Sequence, residues 1–267
     1  MLSATSAKPI WAPSKERSDN SKMALYLRQI SRQKRLNIES YAELYDWSVN
    51  NIEDFWASIW ELAQVRHSRK FSSIIDGKEI WSAKWFEGAR LNFAENLLRY
   101  SDDHLAIIAH SECRPPVKYT YAELYRQVTA CAAGLRLLGV TKDDRVAAII
   151  PNISESIIAM LAATSIGAIW SSCSPDFGFQ SILDRFGQIR PKILIAADGH
   201  SYNGKSFDSI PKLNQVAEAI GSIEKVDFAT WRRVLSVNLD GTFLGCKYAF
   251  PLLRKKGLQR LISTAQG

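Results

Sequence analysis

The residues with chemistry to offer are few and scattered along the chain. His67, His104, His110 and His200 lie far apart, with no spacing that would bring them onto one metal ion. Cys113, Cys131, Cys173 and Cys246 include no CxxC pair, which argues against a zinc site and against a disulfide framework. Three of these cysteines lie in apolar or small-residue runs, where a free thiol behaves as a small hydrophobe. The adjacent carboxylates Asp102-Asp103 and Asp143-Asp144 read as turn and cap residues. No Gly/Ser/Thr-rich loop followed by Lys occurs anywhere in the 267 residues. A triphosphate needs such a loop to supply backbone N–H groups and a compact positive charge. On this reading the chain presents no catalytic residue and no metal ligand of its own.

The elements that could position a site are those of an ordinary globular protein, with 46% hydrophobic and 23% charged residues. The polar first 21 residues lack the apolar stretch of a signal peptide. The longest apolar run, over 157–170, is interrupted by Thr164 and Ser165 and is shorter than the ~18 residues of a membrane span. A cytoplasmic protein without membrane contact is expected. The net charge of +7 is uneven: 26 of the 34 basic and 24 of the 27 acidic residues precede Gly221. The excess therefore belongs mostly to the tail, where Arg254-Lys255-Lys256 is too short a cluster to argue for nucleic-acid binding.

Residues 1–70 read as a helical preface. Apolar residues recur at helical spacing in 41–47 and 52–60, and Phe55, Trp56, Ile59 and Trp60 form a wide stripe that must pack on something. Asn51, with Asp54 three residues on, predicts the cap of the second helix. From Trp81 the pattern turns α/β. Strands are expected at 105–109, 145–150, 168–173 and 192–197, and helices at 121–137, 154–166 (capped by Ser154) and 179–187. The nearly all-apolar strand at 145–150 predicts a sheet buried on both faces. Strand, helix and strand within about 30 residues make one βαβ unit. The middle of the chain is thus part of a doubly wound α/β domain.

Several stretches, taken in order, resemble one branch of the adenylate-forming acyl-CoA ligases. They are Pro9-Ile-Trp-Ala-Pro13, Tyr41-Ala-Glu-Leu-Tyr-Asp-Trp-Ser-Val49, Trp85-Phe-Glu-Gly-Ala-Arg-Leu-Asn-Phe-Ala-Glu-Asn96 and Asp144-Arg-Val-Ala-Ala-Ile-Ile-Pro-Asn152. With them go Gly167-Ala-Ile-Trp-Ser-Ser-Cys-Ser-Pro-Asp-Phe177, Asp184-Arg-Phe-Gly-Gln188 and Tyr202-Asn-Gly-Lys205. The branch is that of the acetoacetyl-CoA synthetases, and the resemblance runs from about residue 9 to about residue 220. The Ser-Pro-Asp-Phe string with the following Asp-Arg-Phe-Gly-Gln separates it from acetyl-CoA synthetases.

The resemblance implies an incomplete adenylate-forming α/β domain over 71–220, preceded by the synthetase-type helical extension over 1–70. It implies a family reaction that joins acetoacetate to CoA with ATP through an acyl-adenylate. The ATP and Mg²⁺ elements of the family lie beyond the matched stretch, so ATP and Mg²⁺ are expected only of the complete enzyme, and the chain alone is expected to be inactive. One matched stretch touches a ligand in acetyl-CoA synthetase relatives: a basic glycine loop that meets a CoA phosphate. Here it reads Tyr202, Asn203, Gly204 and Lys205, with Gly204 allowing close backbone approach and Lys205 acting as a point charge. Tyr202 stands where relatives often have Arg. CoA is accordingly the expected ligand and a full-length synthetase a candidate partner.

Residues 221–267 resemble something else. The stretch from Phe228 through Asn238 to Arg254 is similar to the central helix of short-chain dehydrogenases. No glycine-rich dinucleotide turn and no Tyr-x-x-x-Lys accompany it, so Asn238 alone is no catalyst. Three expectations follow: a truncated, chimeric synthetase-like chain from a recombined or misread gene; a non-enzymatic fragment that binds CoA or pairs with a synthetase; or a truncated NAD(P) oxidoreductase.

Overall fold

A computed structural model describes residues 10–77, 79–112, 115–223 and 261–264. The chain divides into two compact units between Arg90 and Leu91.

The first unit is made of helices α1 (Lys15–Asp19), α2 (Lys22–Lys34), α3 (Tyr41–Asn50) and α4 (Ile52–Leu62), followed by the antiparallel ribbon β1 (Ser73–Asp76) and β2 (Lys84–Glu87). Ser40 starts α3 with a complete capping box, its hydroxyl on the Glu43 amide and the Glu43 carboxylate back on the Ser40 amide. Tyr26, Ile30, Ile38 and Leu44 form the core, with Trp47, Phe55 and Ile59 against it. Trp60 is buried against Phe71 and Phe86, with ring centroids 5.0 and 4.9 Å away. The expected cap at Asn51 differs. Its side chain makes no N-cap bond but donates from Nδ2 to the Trp47 carbonyl, closing α3. One residue separates the two helices, and the same side chain cannot serve both ends.

The second unit begins with α5 (Phe93–Leu97), the antiparallel ribbon β3 (Leu105–Ala109) and β4 (Val117–Thr120), and α6 (Tyr121–Leu137). Thr120 and Glu123 form the capping box of α6. Then follow β5 (Arg145–Ile149), α7 (Ser154–Ser165), β6 (Ile169–Cys173), α8 (Phe179–Ile189) and β7 (Ile193–Ala197). The hairpin β8 (Gly199–Tyr202) and β9 (Lys205–Asp208), α9 (Ile210–Ala219) and β10 (Leu261–Thr264) complete the described elements. The helix expected near 228–254 lies outside the described residues.

The main sheet runs β10-β7-β5-β6 with every pairing parallel. Side chains alternate across each strand, so one apolar run serves two cores. Val146, Ala148, Ile193 and Ile195 face the cluster built by α5, α6 and α7. Ala147, Ile149, Leu194 and Ala196 face Ile182 and Phe186 of α8 and Leu213 and Val216 of α9. Helices on both faces of a parallel sheet make this a doubly wound α/β unit. Ser154 is not the cap expected of it: the cap position is Ile153, and the Ser154 hydroxyl instead meets Glu155 Oε2 at 3.0 Å and Tyr119 Oη at 3.3 Å.

Candidate functional site

The stretch Tyr202, Asn203, Gly204, Lys205 forms the tip of the β8–β9 hairpin, with Tyr202 paired to Lys205. Asn203 and Gly204 have φ of +51° and +69°. Two consecutive positive φ values define the mirror-image hairpin turn that matches strand twist, and Asn-Gly is the pair that adopts it at least cost. Nothing lies within 4 Å of where a Gly204 Cβ would stand, so the turn is open to an approaching group. At the other end of the hairpin the backbones run too close for a side chain, since a Cβ on Gly199 would stand 2.7 Å from the Phe207 carbonyl oxygen.

All four tip residues are exposed, and Lys205 makes no ion pair with any described residue. The Gly204 amide donates to Glu112 Oε2 at 3.3 Å. A carboxylate oxygen thus already occupies a donor that a phosphate would use. Beside the tip, residues 109–112 and 151–155 border a cleft of about 270 Å³ whose wall also includes Tyr119, His200 and Ser201. Glu112 and Glu155 make this wall acidic. The positive charge of the tip thus sits on the Lys205 side of the turn, while the cleft wall carries the carboxylates of Glu112 and Glu155.

The base of the hairpin is tied to the loop between β6 and α8. His200 Nε2 lies 2.9 Å from Asp176 Oδ1, and the His200 ring stacks on Phe207 with centroids 5.1 Å apart at 16°. Ser174 donates its hydroxyl to Asp176 Oδ2 at 2.8 Å. That bond holds the Asp176 carboxyl below the ordinary carboxylate range; slight burial opposes it, while His200 and Lys212 add to it. Lys212 Nζ donates to the carbonyls of Pro175 and Phe177, and the Arg185 guanidinium lies 4.5 Å from the Phe177 ring centroid. Backbone and charge thus fix the Ser174–Phe177 loop from α8 and α9.

The two described cysteines are not poised for covalent chemistry. Burial pushes the Cys131 thiol up to about 12. Burial likewise raises Cys173 to about 11, against the opposing charges of Arg185 and Lys212. Neither thiol is a nucleophile at neutral pH. Among the described residues no group of three or more His, Cys, Asp or Glu could hold a metal ion, and no helix is long and apolar enough to cross a membrane. Sequence reasoning brought the four tip residues together and missed Glu112, Asp176 and His200. The signal available for Asp176 was its place in the Ser-Pro-Asp-Phe string; for His200 it was its same-face position, two residues before Tyr202.

A parallel sheet covered on both faces, with its hairpin beyond β7, agrees with the comparisons. Residues 93–240 match the family described as AMP-binding enzyme, and residues 41–97 match the acetyl-coenzyme A synthetase N-terminus. The first match spans more than half of the chain, and the chain belongs to the AMP-binding enzyme family. Within it, the chain is similar to acetoacetyl-CoA synthetases. It is 41% identical over 215 residues to that of Rhizobium meliloti, with 80% of this chain and 33% of the relative covered. It is 40% identical over 224 residues to that of Danio rerio, covering 82% of this chain and 33% of the relative. The solved acetoacetyl-CoA synthetase of Streptomyces lividans superposes with a TM-score of 0.78 at 35% identity, over 82% of this chain and 35% of that one. The chain spans about a third of the length of these relatives, and its fold is that of the adenylate-forming enzymes with N-terminal helices.

Proposed function

We propose that residues 10–220 are the N-terminal extension and first α/β portion of an acetoacetyl-CoA synthetase, acting in the ATP-dependent ligation of acetoacetate to CoA. The observation that carries this reading is the 41% identity over 80% of the chain to a named acetoacetyl-CoA synthetase, with a matching fold. In this role the β8–β9 tip contacts a CoA phosphate: the open Gly204 turn allows close approach, and Lys205 supplies the charge. The tip geometry fits one phosphate contact, which Glu112 must yield or share.

CoA supplies the thiol that accepts the acyl group; the residues here only bind and orient it. Activation of the carboxylate requires a phosphate-cradling loop and Mg²⁺, and no Gly/Ser/Thr-rich loop followed by Lys occurs in these 267 residues. The 267-residue polypeptide by itself therefore does not form the acyl-adenylate. Acetoacetate-dependent ATP–pyrophosphate exchange tests this directly. No exchange above background is expected from the purified chain, and exchange that tracks the chain through further purification overturns the reading.

A further inference from the structure

We propose that His200 is a positioning residue for the Tyr202–Lys205 turn, locking β8 to the Ser174–Phe177 loop through Asp176. The inference rests on the proposed CoA contact at that turn and adds a device that holds it. The hairpin is a two-stranded sheet of its own: all of β9 is exposed, and neither β8 nor β9 pairs with another described strand. A two-stranded hairpin is marginal by itself in water. Its tip is therefore only as well placed as its anchors allow.

His200 is the side chain suited to anchor it. It is only 11% exposed and stands two residues before Tyr202 on the same strand face. Phe207 of β9 covers one side of its ring, and Asp176 of the β6–α8 loop takes its Nε2. Asp176 is itself held by Ser174, and its neighbours Pro175 and Phe177 are pinned by Lys212. The chain of contacts runs from the packed helices α8 and α9, through the loop, to the imidazole two residues from the tip. Glu112 touches the tip from another side, but through one exposed bond of 3.3 Å.

The geometry also fixes the tautomer. An ionised carboxylate only accepts, so Nε2 carries the proton that is donated to Asp176. Nδ1 is buried without a partner among the described residues, so a second proton there would have nothing to meet. The Nε2–H form is therefore the one that pairs Nε2 with Asp176 and leaves no buried proton on Nδ1. Asp176 is 71% exposed, so its replacement tests the contact without opening the core.

The experiment uses the whole chain, as wild type, Asp176→Ala and Asp176→Asn. Nitrogen-15 chemical shifts of His200 report the tautomer. Amide exchange is followed in the hairpin and, as a control, in β5. Binding of CoA is compared with that of dephospho-CoA, which lacks the 3′-phosphate. Wild type should show the Nε2–H form. Asp176→Ala should speed exchange of the hairpin amides by about tenfold, equivalent to about 1.4 kcal/mol, with β5 unchanged. It should also remove the preference for CoA over dephospho-CoA. Asp176→Asn, which keeps an acceptor oxygen, should restore both. Unchanged hairpin exchange in Asp176→Ala, an Nδ1–H tautomer, or a CoA preference that survives a loosened hairpin overturns the proposal. Equal binding of the two ligands by wild type removes the CoA reading instead, and the exchange and tautomer data still decide whether His200 anchors the hairpin.

Discussion

Replacing Lys205 by Ala isolates the one cation at the hairpin tip. Its ammonium is exposed and unpaired among the described residues, so its attraction to a phosphate acts largely through water. Two unit charges at 4 Å in water interact by about 1 kcal/mol, and exposed pairs are typically measured at about 0.2–1 kcal/mol. A phosphate of higher charge raises this, and the Glu112 carboxylate at the Gly204 amide lowers it. The net expectation is a loss of about 1 kcal/mol, or about fivefold in affinity. CoA binding by the wild-type chain should itself be weak, with Kd in the millimolar range, because one such contact supplies little free energy. Titration followed by nitrogen-15 spectra, with CoA and with dephospho-CoA, separates the phosphate contribution. Lys205→Ala should weaken CoA about fivefold and leave dephospho-CoA unchanged. Added salt should shrink the difference. Tm should not move, as is usual for an exposed surface change. Identical CoA titrations of wild type and variant, or an equal loss for both ligands, would falsify the role given to Lys205.

Other expectations follow from burial and backbone geometry. Gly204→Ala meets no atom within 4 Å, so its cost is backbone strain alone at φ +69°; about 1 kcal/mol is expected, read as faster amide exchange confined to the hairpin. Phe186→Ala empties a fully buried site between α8 and the sheet. A loss of about 3–5 kcal/mol in urea unfolding is expected, and a change below 1 kcal/mol would contradict the packing described. Asp144 accepts bonds from the Thr141 amide and hydroxyl and from Lys192 Nζ. Burial alone would raise its carboxyl, but these bonds and the Lys192 charge hold it below the ordinary range. A folded pKa below the unfolded one stabilises the chain above about pH 4 and is lost as pH falls through the folded value. Wild type should therefore exceed Asp144→Asn in stability at pH 7, and the gap should close in acid. A gap that persists once Asp144 is protonated in both states would count against the bonds named.

The legible parts of this structure are those set by local pattern. The nearly all-apolar run from Arg145 predicts a strand covered on both faces, and helical spacing from Tyr121 predicts α6, whose start the Thr120–Glu123 capping box secures. Asn203-Gly204 carries a local hairpin signal that went unread, because few other pairs accept two positive φ values in succession. What stayed hidden depends on partners far along the chain. Asn51 carries a cap signal, yet its amide serves the helix before it. Ser154 also reads as a cap until Tyr119, 35 residues away, takes its hydroxyl. The same holds at the site. Glu112 reaches Gly204 across 92 residues and Asp176 reaches His200 across 24, so neither contact has a local signature. The histidines looked inert because they were judged by metal spacing, whereas His200 matters through a single carboxylate and a stacked ring.

The most direct measurement is a transplant. Residues 10–220 of this chain would replace the corresponding part of the Streptomyces lividans acetoacetyl-CoA synthetase, which they match at a TM-score of 0.78. Acetoacetyl-CoA formation is then followed alongside acetoacetate-dependent ATP–pyrophosphate exchange. The account predicts a folded chimera that carries out both, with thioester formation falling when Lys205 is replaced by Ala while exchange is retained. A chimera that unfolds at the parent enzyme's Tm, yet supports neither reaction, would contradict the claim that these residues are a working part of such a synthetase.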